Sequence, residues 1–388
     1  MRRKWLVATL LVLVIGGVAA AVVFVPAVRD GFDGAVDTVD DWGHRLRHLA
    51  ATVPEAETEE RSLQGESASL LLVVGEPGAA AFALVASGPN APPSVTVLPQ
   101  DVLLSVPGFG EYRLGEAMLF EGSELVELSI TNQLGIRIDR VVTIPPGGLA
   151  AAVGTQVPVE LAEPFFVDDG TAVVRQLPAG ESLVSPDILE DLLVTPGAGD
   201  AFEWVQRQGA AWRSVLAAVA ADPGMADRLL VSTGPDAADL LVTVAASAEL
   251  IVATLPVERA EDTGVGPALS LVGDRIDGFV AQRFGHLVLR PEGRPAIEIL
   301  NGNGRIGSTY AIATILVRRG FLVVRTDNAD NFEYTDTLVV AQGESAEAFA
   351  REIVEILGHG LLFLEVRAPS GVVDVSIIVG TDVPTGEG

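Results

Sequence analysis

The sequence predicts an α/β chain: two tandem modules of alternating strands and helices behind one N-terminal apolar helix. Three observations carry this reading. Trp5 to Val25 is 21 consecutive residues without a charge. From 69 to 256, short apolar runs bounded by Gly and Pro alternate with longer helix-periodic stretches, the pattern of a layered α/β domain. From 294 to 383 the alternation returns on a smaller scale, with a glycine-rich loop between its first strand and first helix.

At ~1.5 Å per residue, a helix over 5–25 spans roughly 30 Å, the thickness of a bilayer's hydrocarbon core. Arg2, Arg3 and Lys4 precede it, while Asp30, Asp33, Asp37, Asp40 and Asp41 follow. Basic residues stay on the cytoplasmic side. Residues 1–4 are therefore expected inside, 5–25 across the plasma membrane, and the bulk of the chain outside. A cleaved signal peptide is the alternative, but its apolar region would end after ~7–15 residues. Residues 26–68 read as a stalk and linker: Phe32, Ala35, Val39, Trp42, Leu46 and Leu49 make a narrow helical stripe, and 54–67 is polar and acidic. His44 and His48 on that stalk have i, i+4 spacing but no evident third ligand, so they read as a surface pair and not a metal site.

Composition excludes several functions. The formal charge of −27 repels phosphate backbones and leaves no basic footprint, so nucleic acid is not an expected partner. The absence of cysteine removes disulfides, thiolate nucleophiles and cysteine metal sites. Neither a G-x-S-x-G elbow nor a P-loop occurs.

In the first module, 69–75, 81–87, 94–99 and 140–146 read as strands. Residues 115–135 read as a helix closed by Gly135, and 199–222 as a long helix stopped by Pro223-Gly224. Residues 257–293 read as a linker. The second module reads strand (295–300), glycine loop, helix (307–319), strand (321–326), strand (336–341), helix (345–357) and strand (372–379), followed by a tail at 384–388.

The runs "IEILNGNGRIG", "LVRRGFLVV", "TLVVAQGESAEAFAREIVEILG" and "VDVSIIVGTDV" resemble a LytR C-terminal domain across 294–383. The upstream pieces "VTVLPQDVLLSVPGFGEYRLGEAM", "NQLGIRIDRVVTIPPGGLAAAVG", "LPAGESL" and "WVQRQGAAWRSVL" resemble, in order, a LytR-CpsA-Psr (LCP) domain. The resemblance implies a layered α/β LCP-like domain followed by the smaller LytR module, both behind one transmembrane helix. It implies an envelope protein that moves glycopolymer from a polyprenyl-pyrophosphate carrier to peptidoglycan, using magnesium and a cluster of arginines. Guanidinium forks suit that chemistry because they neutralise a pyrophosphate bidentately.

The family's site, carried over position by position, is mostly absent. Pro99-Gln100-Asp101 stands where the family has Pro-Arg-Asp. Arg113 stands at a basic position, but Gly115 and Glu116 replace the amides that follow it. At Gly75-Glu76-Pro77 the family's acid is shifted or absent, residues 78–82 lack its arginine and acid, and 192–197 has no arginine. In the last helix Trp204 replaces the first arginine, while Arg207 and Gln208 remain. The residual positions are thus Asp101 (the one candidate metal ligand), Arg113, Arg207 and Gln208. Losing several phosphate-binding charges removes most of the rate, so the expectation is a degenerate, non-catalytic domain that binds wall glycopolymer or polyprenyl-linked precursors. The alternatives are a transferase with a rearranged, magnesium-dependent site, and, residue by residue, a turn role for Asp101, a surface pair of Arg113 with Glu111 or Glu116, and a solvated face for Arg207.

Gly302, Gly304 and Gly307 have G-x-G-x-x-G spacing, with Asp327 twenty residues on, which raises a dinucleotide site over 298–327. The module is too small for both halves of a dinucleotide fold, and Asn301 shifts the register. The glycines therefore read as turn architecture, with the helix start beside Arg305 as an anion perch.

Overall fold

The computed structural model describes residues 67–168, 172–231, 235–260, 268–365 and 372–383. The expected membrane helix, the stalk with His44 and His48, and the C-terminal tail lie outside them. No helix among the described residues is long and apolar enough to cross a membrane.

The first sheet runs β11-β3-β2-β1-β6. Strands β1 (Ala68–Glu76), β2 (Ala79–Gly88) and β3 (Ala91–Leu98) form an antiparallel meander, while β6 (Arg140–Ile144) and β11 (Ile251–Thr254) add parallel strands at its two sides. Residues 68 to 75 are all buried, so helices cover both faces of β1. That is why the central strands read as continuous apolar runs without alternation. A hairpin of β4 (Leu103–Val106) and β5 (Gly110–Arg113) leads into helix α1 (Leu114–Leu134). This helix is kinked at Glu121-Gly122, where Gly122 adopts φ 66° and ψ −152°, and it is closed by left-handed Gly135. Further along lie α2 (Gly148–Val153), the strand pairs β7 (Val157–Leu161) with β10 (Gly180–Val184) and β8 (Phe165–Asp168) with β9 (Val173–Leu177), α3 (Pro186–Val194), α4 (Ala201–Ala221), α5 (Gly224–Leu229) and α6 (Pro235–Ala245).

Residues 257–293 differ from the expected linker. They hold β12 (Val257–Arg259), β13 (Leu269–Leu271) and α7 (Gly273–Phe284). Ile276, Val280 and Phe284 are buried at four-residue spacing, an apolar stripe that polar neighbours mask in the sequence. Helix α7 packs on β3, and Ile136 bridges Val288, so the segment belongs to the first module's body.

The second module has sheet order β15-β14-β18-β16-β17. Strand β14 (Ala296–Asn301), helix α8 (Ser308–Arg318) and β15 (Leu322–Asn328) form a parallel βαβ unit. Strand β16 (Leu338–Gln342), helix α9 (Glu347–Leu357), β17 (Leu361–Glu365) and β18 (Val375–Val379) complete it. The sequence predicts no strand at β17, a short apolar run that lies exposed at the edge of the sheet.

The two modules share a polar seam. Residues 125 to 132 of α1 are buried without a break, Glu127 and Asn132 included. The Asn132 Oδ1 accepts the Val323 N–H at 2.8 Å, and its Nδ2 donates to the Val323 carbonyl at 2.9 Å and the Ser105 carbonyl at 3.2 Å. Arg294 donates to the carbonyls of Asn132 and Gln133 at the end of α1, and to those of Gly320 and Phe321 just past α8. One guanidinium thus closes the end of α1 and ties it to the turn between α8 and β15. Burial lowers its pKa to about 10 against the partial help of Asp277. Glycine is required beside it, because a Cβ on Gly135 would lie 2.6 Å from the Arg294 side chain.

Glu127 completes the seam. It accepts from Arg318 at 3.1 Å and from Thr131 at 2.9 Å, and only 4% of it is exposed. Burial raises its pKa, and Arg318 is the main influence pulling it back. A carboxyl whose folded pKa exceeds its unfolded value favours the folded state most at low pH, and that contribution is lost as pH rises through the folded pKa. Arg318→Met should therefore cost about 3 kcal/mol of unfolding free energy at pH 8 and markedly less at pH 5, with most of the loss restored by adding Glu127→Gln. Urea unfolding of the three proteins at both pH values checks this.

Candidate functional site

The residual family positions fall in two places. Asp101 follows β3, where its carbonyl accepts the Leu269 N–H at 2.9 Å. The Gln100 carbonyl accepts Gly115 N–H at 2.9 Å, and the missing Cβ of Gly115 lets α1 start against Gln100. This turn sets the Asp101 carboxyl near Arg113 and Glu116. Burial raises the Asp101 pKa; Arg113 lowers it and Glu116 raises it further. Arg113 lies 3.4 Å from Glu116, and its own backbone N–H donates to the Glu116 carboxylate at 2.8 Å, closing the start of α1 as a capping box. One guanidinium therefore serves two carboxylates. Glu116, one of the two partners the sequence left open, is the nearer structural explanation for Arg113.

Magnesium held jointly with phosphate needs one or two carboxylates. Asp101 and Glu116 supply that number, but Arg113 already compensates both, so a cation would have to displace it. Among the described residues no three Asp, Glu or His side chains gather as a metal cage. The group present does not fit a resident divalent ion.

Arg207 and Gln208 sit elsewhere, on α4. Arg207 is buried, not on a solvated face. Its guanidinium donates to the carbonyls of Thr195 at 2.5 Å, Pro196 at 2.7 Å and Leu192 at 3.4 Å, and lies 4.3 Å above the Phe165 ring. Gln208 Nε2 and Trp204 Nε1 both donate to the Leu193 carbonyl, at 2.7 and 2.9 Å. Three successive inward positions of α4 thus terminate α3, whose last carbonyls otherwise lack partners. Burial lowers the Arg207 pKa to about 10, with Glu203 opposing, so it remains charged at neutral pH. Trp204, which looked like a lost arginine, takes part in the same cap by its indole N–H. The groove that Arg207 borders includes neither Asp101 nor Arg113.

The glycine loop is filled from within. Asn301 Oδ1 accepts the N–H groups of Asn303 and Gly304, and Asn303 Oδ1 accepts that of Arg305. Gly304 and Gly307 have φ of 68° and 82°, while a Cβ on Gly302 would lie 2.7 Å from Ile378. The first turn of α8 is covered by the β4–β5 hairpin: Thr309 Oγ1 donates to the Gly108 carbonyl at 3.3 Å, and Gly108 N–H donates to Thr326 at 3.2 Å. Phe109 lies edge-on to Tyr310 at 5.7 Å. The expected anion perch is therefore under the hairpin. Asp327 pairs with Arg325 at 2.7 Å, so the acid a ribose would need is engaged.

Residues 294–382 match the family model described as LytR cell envelope-related transcriptional attenuator, and the second module is a LytR C-terminal domain. No curated protein matches the chain. Among solved structures, the chain is similar to a LytR-Csp2A-Psr enzyme from Actinomyces oris, at 17% identity over 58% of this chain and 92% of that one, with a TM-score of 0.44. It is also similar to TagV of Bacillus subtilis, at 14% identity over 55% and 94% of the two chains with a TM-score of 0.45. A third is TagT bound to LI-WTA, at 17% identity over 57% and 92% with a TM-score of 0.44.

If Arg207 is a backbone clamp, Arg207→Met should cost about 2 kcal/mol by leaving buried carbonyls unpaired. Arg207→Lys should recover little, since one ammonium cannot span the three carbonyls. Guanidinium unfolding checks both. An Arg207 whose role is ligand binding would instead leave stability unchanged.

Proposed function

We propose that the chain is a membrane-anchored protein of the bacterial envelope whose LCP-like module binds wall glycopolymer or its polyprenyl-linked precursor without transferring it. The carrying observation bears on transfer: Arg207 and Gln208, the donors that neutralising a pyrophosphate leaving group would require, are spent on the carbonyls at the end of α3, while retention of the glycan rests on the family resemblance. The other residual charges are also engaged: Arg113 pairs with Glu116 at the start of α1 and is the cation beside the buried Asp101. Support for the envelope comes from the LytR C-terminal domain. Support for the anchor, with its N-terminus in the cytoplasm, comes from the uncharged run at 5–25 and the basic residues before it.

A rearranged transferase would need a charge cluster, and the residual residues form none around one groove. A dinucleotide reading at 298–327 conflicts with the covered first turn of α8 and the engaged Asp327.

The test is full-length protein in detergent micelles with a polyprenyl-pyrophosphate glycan, magnesium and peptidoglycan. The expected result is saturable retention of the labelled donor with no transfer above a protein-free control. Transfer over many turnovers that Asp101→Asn abolishes, or a complete lack of donor binding, contradicts the proposal.

A further inference from the structure

The first sheet has an uncovered edge in an unusual setting. Strand β11 pairs only with β3, in parallel, and the Leu255 N–H donates to Val97 at 3.3 Å. In a parallel ladder one residue sends both backbone groups to one side and the next sends both to the other. Ile251, Ala253 and Leu255 therefore face β3. Val252 and Thr254 turn their N–H and C=O groups outward, where no described residue bonds them. These groups open on a groove of about 240 Å³, floored by small residues of α4, Gly209 and Ala210. Its rim carries three exposed carboxylates, Glu160, Glu163 and Glu203, against one exposed guanidinium, Arg213. Arg207 borders it but is turned to carbonyls.

We infer that this groove receives an extended segment of another protein, added as a sixth strand beside β11 and carrying basic side chains. Free backbone groups at a sheet edge are what strand addition uses for affinity, while flanking side chains select the sequence. The carboxylate rim selects lysine or arginine, and the net charge of −27 draws such a segment from a distance. The same charge disfavours a second copy of this chain as occupant. Of the residues in the glycopolymer reading only Arg207 borders this groove, and its donors are held by the Thr195 and Pro196 carbonyls, so either reading can fail without the other.

The experiment uses full-length protein in detergent and a fluorescent acetyl-Lys-Val-Lys-Val-Lys-amide peptide, followed by anisotropy at low salt. Binding should saturate and weaken with salt. It should fall by about tenfold when the amides on one edge of the peptide are N-methylated, because that edge can no longer donate. Acetyl-Glu-Val-Glu-Val-Glu-amide should not bind. Thr254→Pro should weaken binding comparably: it removes an outward N–H, and an edge strand tolerates proline there. The triple change of Glu160, Glu163 and Glu203 to Gln should flatten the salt dependence. Equal binding of the methylated peptide, equal binding of the acidic one, or no saturation overturns the inference. So does a self-association of the protein that the basic peptide fails to reverse. The peptide arms use unaltered protein and stay decisive if Thr254→Pro does not fold.

Discussion

The structure depends on one buried amide. Strand β15 is the edge of the second module's sheet, and an edge strand exposes backbone groups that must find partners when buried. Asn132 supplies both: its side chain offers one acceptor and one donor to the two groups of Val323, as a neighbouring strand would. The remaining hydrogen on Nδ2 reaches Ser105 in the β4–β5 hairpin, so the same residue fixes the loop that covers α8. Arg294 then closes the end of the helix that carries Asn132. Without this amide, the Glu127–Arg318 pair and the Gly108 contact would have to hold a seam whose sheet edge is unsatisfied.

That constraint bears on function. A module locked against its neighbour by polar bonds has its first helix turn, hairpin and helix ends committed to the seam, leaving few donors for a ligand there. Elsewhere in the first module the same economy recurs: Trp204, Arg207 and Gln208 close α3 from within α4. Arg207 and Gln208, which the resemblance would assign to a pyrophosphate, serve here as internal caps.

Much of the architecture was legible in the residues. Short apolar runs bounded by Gly and Pro located β1 to β3, helical periodicity located α1, Pro223-Gly224 marked the stop of α4, and Gly135 marked the end of α1. What escaped notice has physical causes. Helix α7 hides its stripe among Asp and Arg, and β17 is a short apolar run left exposed at a sheet edge. The inward aim of Arg207 depends on where α3 ends in space, which no local pattern encodes. Asn132 lay in plain view within "NQLG", but its role needs a strand 191 residues away. A buried-looking asparagine amid Leu125, Leu128 and Ile130 was the available signal, since an amide at such a position needs partners.

The most direct test of the central claim is hydrogen exchange at the Val323 amide in the full-length protein, read beside the amide of Ile299 on the interior strand β14 of the same sheet. If Asn132 completes the edge, Val323 exchanges only through the opening that also exposes Ile299, and Asn132→Ala accelerates Val323 alone while Ile299 stays slow. Rapid exchange of Val323 in the unaltered protein, at the pace of an open strand edge, would contradict the account.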